Sequence, residues 1–295
     1  MLKINGIGCV NATPLTADGK LNEKEYIRHI HWLADCGIGF IQPSAATGQC
    51  MQTTEAEYKH ILELSVKELK GTGVLVTAYA GRAGTEDTIR ACRIAQEAGA
   101  DAAYLIQPFY TTPDKEGIYL HYKAVAEALP DFPLVFYNNA ARAGVNLPLD
   151  VMVRLVGEYK NFVGLKQADL NQVMDSFAQL QDKITVWPKS EKEILMGLAL
   201  KAPGVLTFAA NVVPAELVDI LKSWQAGNFD HAREVYYSVL PIMNLIHIEA
   251  VPGPIKYMLN RMGWDFGDPR LPIHMPCAAS QAKIDEALRK LGKIK

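Results

Sequence analysis

The chain has almost no net charge, no long apolar run and no paired cysteine motif, and each absence narrows what it can be. Thirty lysines and arginines stand against 32 aspartates and glutamates, a formal charge of -2. No basic surface is therefore expected to select nucleic acid or an anionic membrane as a partner. No stretch of ~18 uninterrupted apolar residues occurs, so no membrane-spanning helix is expected. The opening residues, Met1-Leu2-Lys3-Ile4-Asn5-Gly6, lack the basic and apolar segments of a secretory leader. The five cysteines, Cys9, Cys36, Cys50, Cys92 and Cys277, are odd in number and show no CxxC spacing. They read as free thiols in a reducing cytoplasm. Most of the seven histidines fall in helical segments, none ends an apolar run, and they form no H-x-H motif on a strand and no HExxH helix, so no metal is expected. No G-x-G-x-x-G follows the first apolar run, which argues against a dinucleotide-binding sheet. No glycine-rich cradle follows the last two runs, which argues against a phosphorylated substrate.

What is present is alternation. Eight short apolar runs, Ile7–Leu15, Gly39–Ser44, Val74–Tyr79, Ala103–Pro108, Leu134–Asn138, Val163–Gln167, Thr185–Trp187 and Val205–Ala209, are separated by longer segments. Three of these, Glu23–Cys36, Thr54–Leu69 and Asp87–Ala98, place apolar residues at helical spacing. Eight strand–helix repeats in 295 residues predict parallel strands closed into a (β/α)8 TIM barrel spanning 1–214. A doubly wound open sheet is the alternative. Past Pro214 the alternation stops, and Pro214–Ala226, Asn228–Ile248, Pro252–Gly263 and Ser280–Leu291 read as helices. They form a C-terminal helical extension over 215–295, packed on the barrel and not independent.

In such a barrel, active-site groups sit at the C-terminal ends of strands. Lys166 lies inside the apolar strand Val163-Gly164-Leu165-Lys166-Gln167-Ala168. Alternation predicts that Val163 and Leu165 face the helices while Gly164, Lys166 and Ala168 face the other way. Two small neighbours would leave room beside the amine, and burial would free it as a nucleophile. The competing reading is a lysine that snorkels out of the barrel mouth or pairs with a carboxylate. Lys189, beside Pro188, is a rival nucleophile expected to lie in a wetter loop. Tyr137 ends another strand and could relay protons, or could be a core tyrosine. Arg142, in the following loop, could grip a carboxylate or be merely solvated. Thr47-Gly48 offers a hydroxyl and backbone N–H groups in a turn.

Several segments together resemble the dihydrodipicolinate synthase / N-acetylneuraminate lyase family, over nearly the whole chain. Ala45-Ala46-Thr47-Gly48-Gln49 is similar to the family's Gly-Ser/Thr-Thr-Gly-Glu loop. Gln107-Pro108-Phe109-Tyr110, followed by Gly117 and His121-Tyr122-Lys123, resembles a second segment. Tyr137-Asn138 with Arg142-Ala143-Gly144 resembles a third, and Gly164-Leu165-Lys166-Gln167 a fourth. Gly204-Val205, Ala210-Asn211-Val212-Val213-Pro214 and Pro254-Ile255-Lys256 extend the match.

The resemblance implies a class I lyase in which Lys166 forms a Schiff base with pyruvate or another 2-oxo acid, without metal or organic cofactor. It implies aldol cleavage or condensation, or dehydration. Tyr137 would shuttle the proton. The backbone around Ala46 and Thr47, with the Thr47 hydroxyl, would hold the 1-carboxylate, and Leu206 would line the substrate pocket. Arg142 would bind a second carboxylate. A homotetramer or homodimer is implied, with Tyr110 reaching into a neighbour's site as part of the catalytic set. There are departures from the family pattern. Ala46 stands where family members that make dihydrodipicolinate carry a hydroxyl linking two tyrosines, Gln49 replaces the usual Glu, Phe109 a frequent Tyr, and Asn139-Ala140 an x-Pro pair. The resemblance therefore leaves open a related aldolase, dehydratase or deaminase, the synthase of lysine biosynthesis, and a 2-oxo acid binding protein without turnover. A metal-dependent barrel aldolase or hydrolase is a further reading.

Overall fold

The computed structural model describes residues 2–295. In chain order the elements are β1 (Gly6–Cys9), α1 (Glu23–Asp35), β2 (Phe40–Ile41), α2 (Glu55–Glu68), β3 (Leu75–Tyr79), α3 (Thr85–Glu97), β4 (Ala102–Ile106) and α4 (Lys115–Ala128). Then come β5 (Leu134–Asn138), α5 (Ala140–Ala143), α6 (Leu149–Glu158), β6 (Phe162–Gln167), α7 (Val173–Leu180), β7 (Thr185–Pro188), α8 (Ile194–Ala199) and β8 (Gly204–Thr207). Four helices follow, α9 (Pro214–Gln225), α10 (Phe229–Leu245), α11 (Gly253–Arg261) and α12 (Ala278–Lys290). Each of the eight apolar runs overlaps a strand, and the alternation ends after β8 as the sequence predicts. The chain forms two compact units, each built from separate stretches of sequence.

The first unit comprises residues up to Asn5 and Leu75–Leu206. Its strands β3 to β7 pair in parallel in sequence order, and the register aligns Ile106 with Tyr137, Tyr137 with Lys166, and Lys166 with Trp187. Aligned residues on parallel strands share a face, so these four side chains stand together. The opposite face packs under helices. Phe136 stacks on Phe162 with centroids 4.2 Å apart, Tyr122 of α4 meets Phe136 edge-on at 5.2 Å, and the Tyr122 hydroxyl donates to Leu105 O at 3.1 Å. Each such ring contributes about 1.5–3 kcal/mol by leaving water.

Strict alternation along β6 is broken. The partner of Leu134 is Phe162, but that of Val135 is Gly164. Val163 is the extra residue of a bulge, which re-aims the chain just before Lys166. Gly164 also differs from its expected role. A Cβ there would lie 2.5 Å from Trp187 Cζ3, so the space beside Gly164 is filled by the indole and not left for a substrate.

The second unit comprises Gly6–Val74 and Thr207–Lys295. Strands β1 and β2 pair in parallel, and a Cβ at Gly8 would meet the Phe40 ring at 2.3 Å. β1 is shorter than its apolar run because its hydrogen bonds divide beyond Cys9. Val10 N–H reaches Thr207 O, Asn11 N–H reaches Gln42 O, and Ala12 N–H is taken by the Asn211 side chain at 2.9 Å. β2 gives way to a loop in which Ser44 and Gln49 both have positive φ, 52° and 59°. Helix α2 starts on a capping box between Thr54 and Glu57. The segment after α11 is fastened twice. Buried Lys256 donates to Phe266 O and Asp268 O, each at 3.1 Å. The Gln49 carboxamide then pairs reciprocally with the Arg270 backbone, donating to its carbonyl at 2.8 Å and accepting its N–H at 2.9 Å.

Candidate active site

Lys166 is 5 % exposed, near the C-terminal end of β6, and its amine lies 5.2 Å from the centre of the Tyr137 ring. Burial disfavours the ammonium and lowers its pKa from 10.5 to about 8. Glu191 opposes that shift, Arg142 adds to it, and Glu193 opposes it more weakly. At pH 7 a lysine of pKa about 8 is free amine in roughly one molecule in ten, against about one in three thousand at 10.5. The amine thus combines shielding with a usable nucleophilic fraction.

Tyr137 is half-buried, one strand away. Its hydroxyl accepts a hydrogen bond from Asn139 Nδ2 at 2.8 Å. Arg142 is exposed on α5, the short turn that follows β5. That turn is held from behind by side-chain amides. Gln107 Nε2 donates to Asn138 Oδ1 at 3.1 Å and to Val145 O at 2.6 Å. Asn138 Nδ2 donates to Asn146 Oδ1 and to Gln167 Oε1, both at 2.8 Å. The Leu147 N–H also reaches Asn138 Oδ1, at 3.1 Å. Leu206 is fully buried on β8 of the same unit. Lys189 is exposed, as its loop position predicts.

Tyr110 lies past β4 with φ of 74° and is 93 % exposed. Ala46 and Thr47 belong to the second unit, in the loop after β2. Thr47 is fully buried, and its hydroxyl has no hydrogen-bond partner among the described residues. A buried hydroxyl without a partner costs about 1–3 kcal/mol, which a bound ligand or water would relieve. Three residues escaped the sequence reading. Glu191 is fully buried in a 3-10 turn after β7. Its Ser-Glu-Lys-Glu setting reads as a helix start, which hides a buried acid acting on Lys166. Asn138 reads as the end of an apolar run and Asn139 as a turn residue, and only the folded chain shows what their carboxamides hold.

Among the described residues no group of three or more His, Cys, Asp or Glu side chains is placed to hold a metal ion. No helix among them is long and apolar enough to cross a membrane.

Comparison with known proteins adds to this geometry. Residues 3–291 match the dihydrodipicolinate synthetase family. A 4-hydroxy-tetrahydrodipicolinate synthase of Thermodesulfovibrio yellowstonii is 33% identical over 279 residues, 94% of this chain and 95% of the relative. A crystal structure of a dihydrodipicolinate synthase superposes with a TM-score of 0.92 at 32% identity, covering 98% of this chain and all of the other. The chloride-inhibited enzyme of Acinetobacter baumannii, complexed with pyruvate, gives a TM-score of 0.92 at 28% identity, covering 99% of this chain and 100% of that one. The fold class is that of these structures, a (β/α)8 barrel followed by C-terminal helices.

Proposed function

The chain belongs to the dihydrodipicolinate synthetase family, and on that premise we propose that Lys166 is its Schiff-base lysine and pyruvate, or a close 2-oxo acid, its substrate. The family assignment makes it a class I lyase. The observation that carries the residue assignment is the buried Lys166 amine of pKa about 8 beside Tyr137. In this reading the amine attacks the C2 carbonyl carbon and the carbinolamine loses water. The resulting iminium draws electrons from C3, so a C3 proton can leave and an enamine forms. Tyr137 carries protons to and from these atoms. Arg142 binds an anionic group on the second reactant. Thr47, with the backbone at Ala46, binds the 1-carboxylate, and Leu206 lines the pocket. Tyr110 serves a neighbouring copy in a homotetramer or homodimer. The five free cysteines support a cytoplasmic setting.

Borohydride reduction in the presence of pyruvate tests the assignment. One pyruvate-derived mass should appear on a peptide containing Lys166 and vanish in Lys166→Ala. Label on Lys189, or label persisting in Lys166→Ala, would refute it. A second reading is synthesis of 4-hydroxy-tetrahydrodipicolinate itself, favoured by the names of relatives at about 30% identity. Against it stands Ala46, which can neither donate nor accept a proton. A coupled assay with pyruvate and aspartate semialdehyde decides between them. A kcat/KM of ~10⁴ M⁻¹s⁻¹ or more would establish the synthase.

A further inference from the structure

Asn139 touches two parts of the candidate site at once. Its side-chain Nδ2 donates to the Tyr137 hydroxyl at 2.8 Å. Its backbone carbonyl accepts the N–H groups of Arg142 at 3.1 Å and Ala143 at 3.0 Å, so Asn139 caps the turn that carries Arg142. The residue is 8 % exposed, so water competes little for these contacts.

We propose that Asn139 is a positioning residue, which holds the Tyr137 oxygen as a hydrogen-bond acceptor and thereby favours the phenolate that takes the C3 proton from the Lys166 imine. The proposal rests on the Lys166 and Tyr137 assignments above. Asn139 is the first residue past β5, with φ of -147° and ψ of 86°. This near-extended backbone keeps its side chain on the face of Tyr137, two residues back, and the short turn that follows locks it in place. An amide N–H cannot accept the phenol's proton. It can only donate to the oxygen, and a donor bound to an oxygen stabilises its anion.

Charged groups act on the same corner. The Lys166 amine of β6 lies over the Tyr137 ring. Arg142 on α5, with Glu191 and Glu193 after β7, acts on that amine in turn. From β4 the aligned neighbour is the apolar Ile106. Asn139 is neutral, so removing its side chain leaves all these charges in place and isolates the hydrogen bond. The opposite orientation of the carboxamide, with Oδ1 toward the phenol, would favour the protonated tyrosine instead. The two orientations predict pH shifts of opposite sign.

In the step at issue the C3–H bond of the imine breaks, its electron pair forms the C2–C3 double bond of the enamine, and the proton moves to the Tyr137 oxygen. In heavy water it returns as deuterium. Exchange of the pyruvate methyl protons, followed by proton NMR across pH, therefore reads this step with pyruvate as the only reactant. Tyr137→Phe identifies which limb of the profile depends on the phenol. Asn139→Val should move that limb to higher pH by about half to one unit, the equivalent of one hydrogen bond, and slow exchange at neutral pH. Asn139→Asp should move it further in the same direction, because a carboxylate accepts the phenol's proton.

A limb that stays put or moves to lower pH in Asn139→Val overturns the proposal, whatever Asn139→Asp does. The cap on α5 is a backbone carbonyl, which every substitution keeps, so Asn139→Leu, close to asparagine in shape and likewise without the donor, carries the test if Asn139→Val does not fold. Borohydride labelling of Lys166 is run on each variant. Labelling kept with an unmoved limb rejects the Asn139 proposal alone. Labelling absent from the wild type rejects the assignment beneath it.

Discussion

Burying the Lys166 amine lowers its pKa to about 8, and that one fact governs both reactivity and stability. Imine formation needs the free amine, so the rate of pyruvate trapping should rise with pH and level off above about 8. Glu191 holds the value up and Arg142 pushes it down. Glu191→Gln should therefore move the inflection to lower pH, and Arg142→Ala should move it to higher pH. An inflection that ignores both substitutions would remove these residues from the electrostatics of the site. The stability consequence has the opposite sense to that of a paired lysine. In the unfolded chain Lys166 titrates at its ordinary value near 10.5. Below about 8 both states are protonated, and the folded state carries the cost of a buried charge. From about 8 to 10.5 the unfolded state binds more protons, so stability is recovered as pH rises. Lys166→Met should thus raise the denaturation midpoint most at pH 6–7, with the gain shrinking toward pH 10. A variant less stable than the wild type at pH 6–7 would mean that other interactions of Lys166 outweigh its desolvation.

Strand ends in the first unit are tied together by carboxamides. Asn138 at the end of β5 accepts from Gln107 and from the Leu147 backbone, and it donates to Asn146 and Gln167. Gln167, at the end of β6 one residue past Lys166, passes the chain on to Ser176 of α7 at 2.9 Å. Asn138→Leu would leave several of these buried groups unmatched, and such groups cost about 1–3 kcal/mol each. A loss of about 2–4 kcal/mol is expected, read from the urea midpoint. Because the network holds the Arg142 turn, KM for an anionic second substrate should rise more than kcat falls. A loss below about 0.5 kcal/mol would mean that water replaces the lost partners. The alternation of β and α elements, and the strand that bears Lys166, were legible because apolar periodicity reports burial directly. The carboxamide network was not, because Asn and Gln at the ends of apolar runs carry no periodic signal that says what their side chains bind. The bulge at Val163 was hidden for a related reason. Phe162, Val163 and Leu165 are all apolar, so composition cannot show which residue is inserted. Only the pairing jump from Phe162 to Gly164 reveals it, together with the Trp187 ring that takes the room expected beside Gly164.

At the scale of the whole molecule, the question is what covers its exposed apolar side chains. Tyr110 is 93 % exposed and Leu271 79 %, while Leu170, Met174 and Tyr237 are each more than half exposed. A single exposed apolar residue needs no explanation. Tyr110 is different because its backbone holds a positive φ of 74°, and Thr112, two residues on, has φ of 44°. Left-handed backbone at two non-glycine residues costs free energy, of order 1 kcal/mol or more each. A chain that keeps such a turn to hold a tyrosine in water gains nothing from it as a monomer. Association would cover the ring and offset the cost. The protein is therefore expected to sediment at micromolar concentration as a species at least twice its 32.5 kDa chain mass, as a dimer or tetramer. Tyr110→Ala should weaken that association and lower pyruvate turnover in parallel as the protein is diluted, if the ring completes a neighbour's site. Turnover that is lost without dissociation would give Tyr110 a chemical role apart from assembly. A wild-type chain that sediments at 32.5 kDa and still turns over pyruvate would show that the turn serves its own subunit, and would remove the oligomer from the reading of this enzyme.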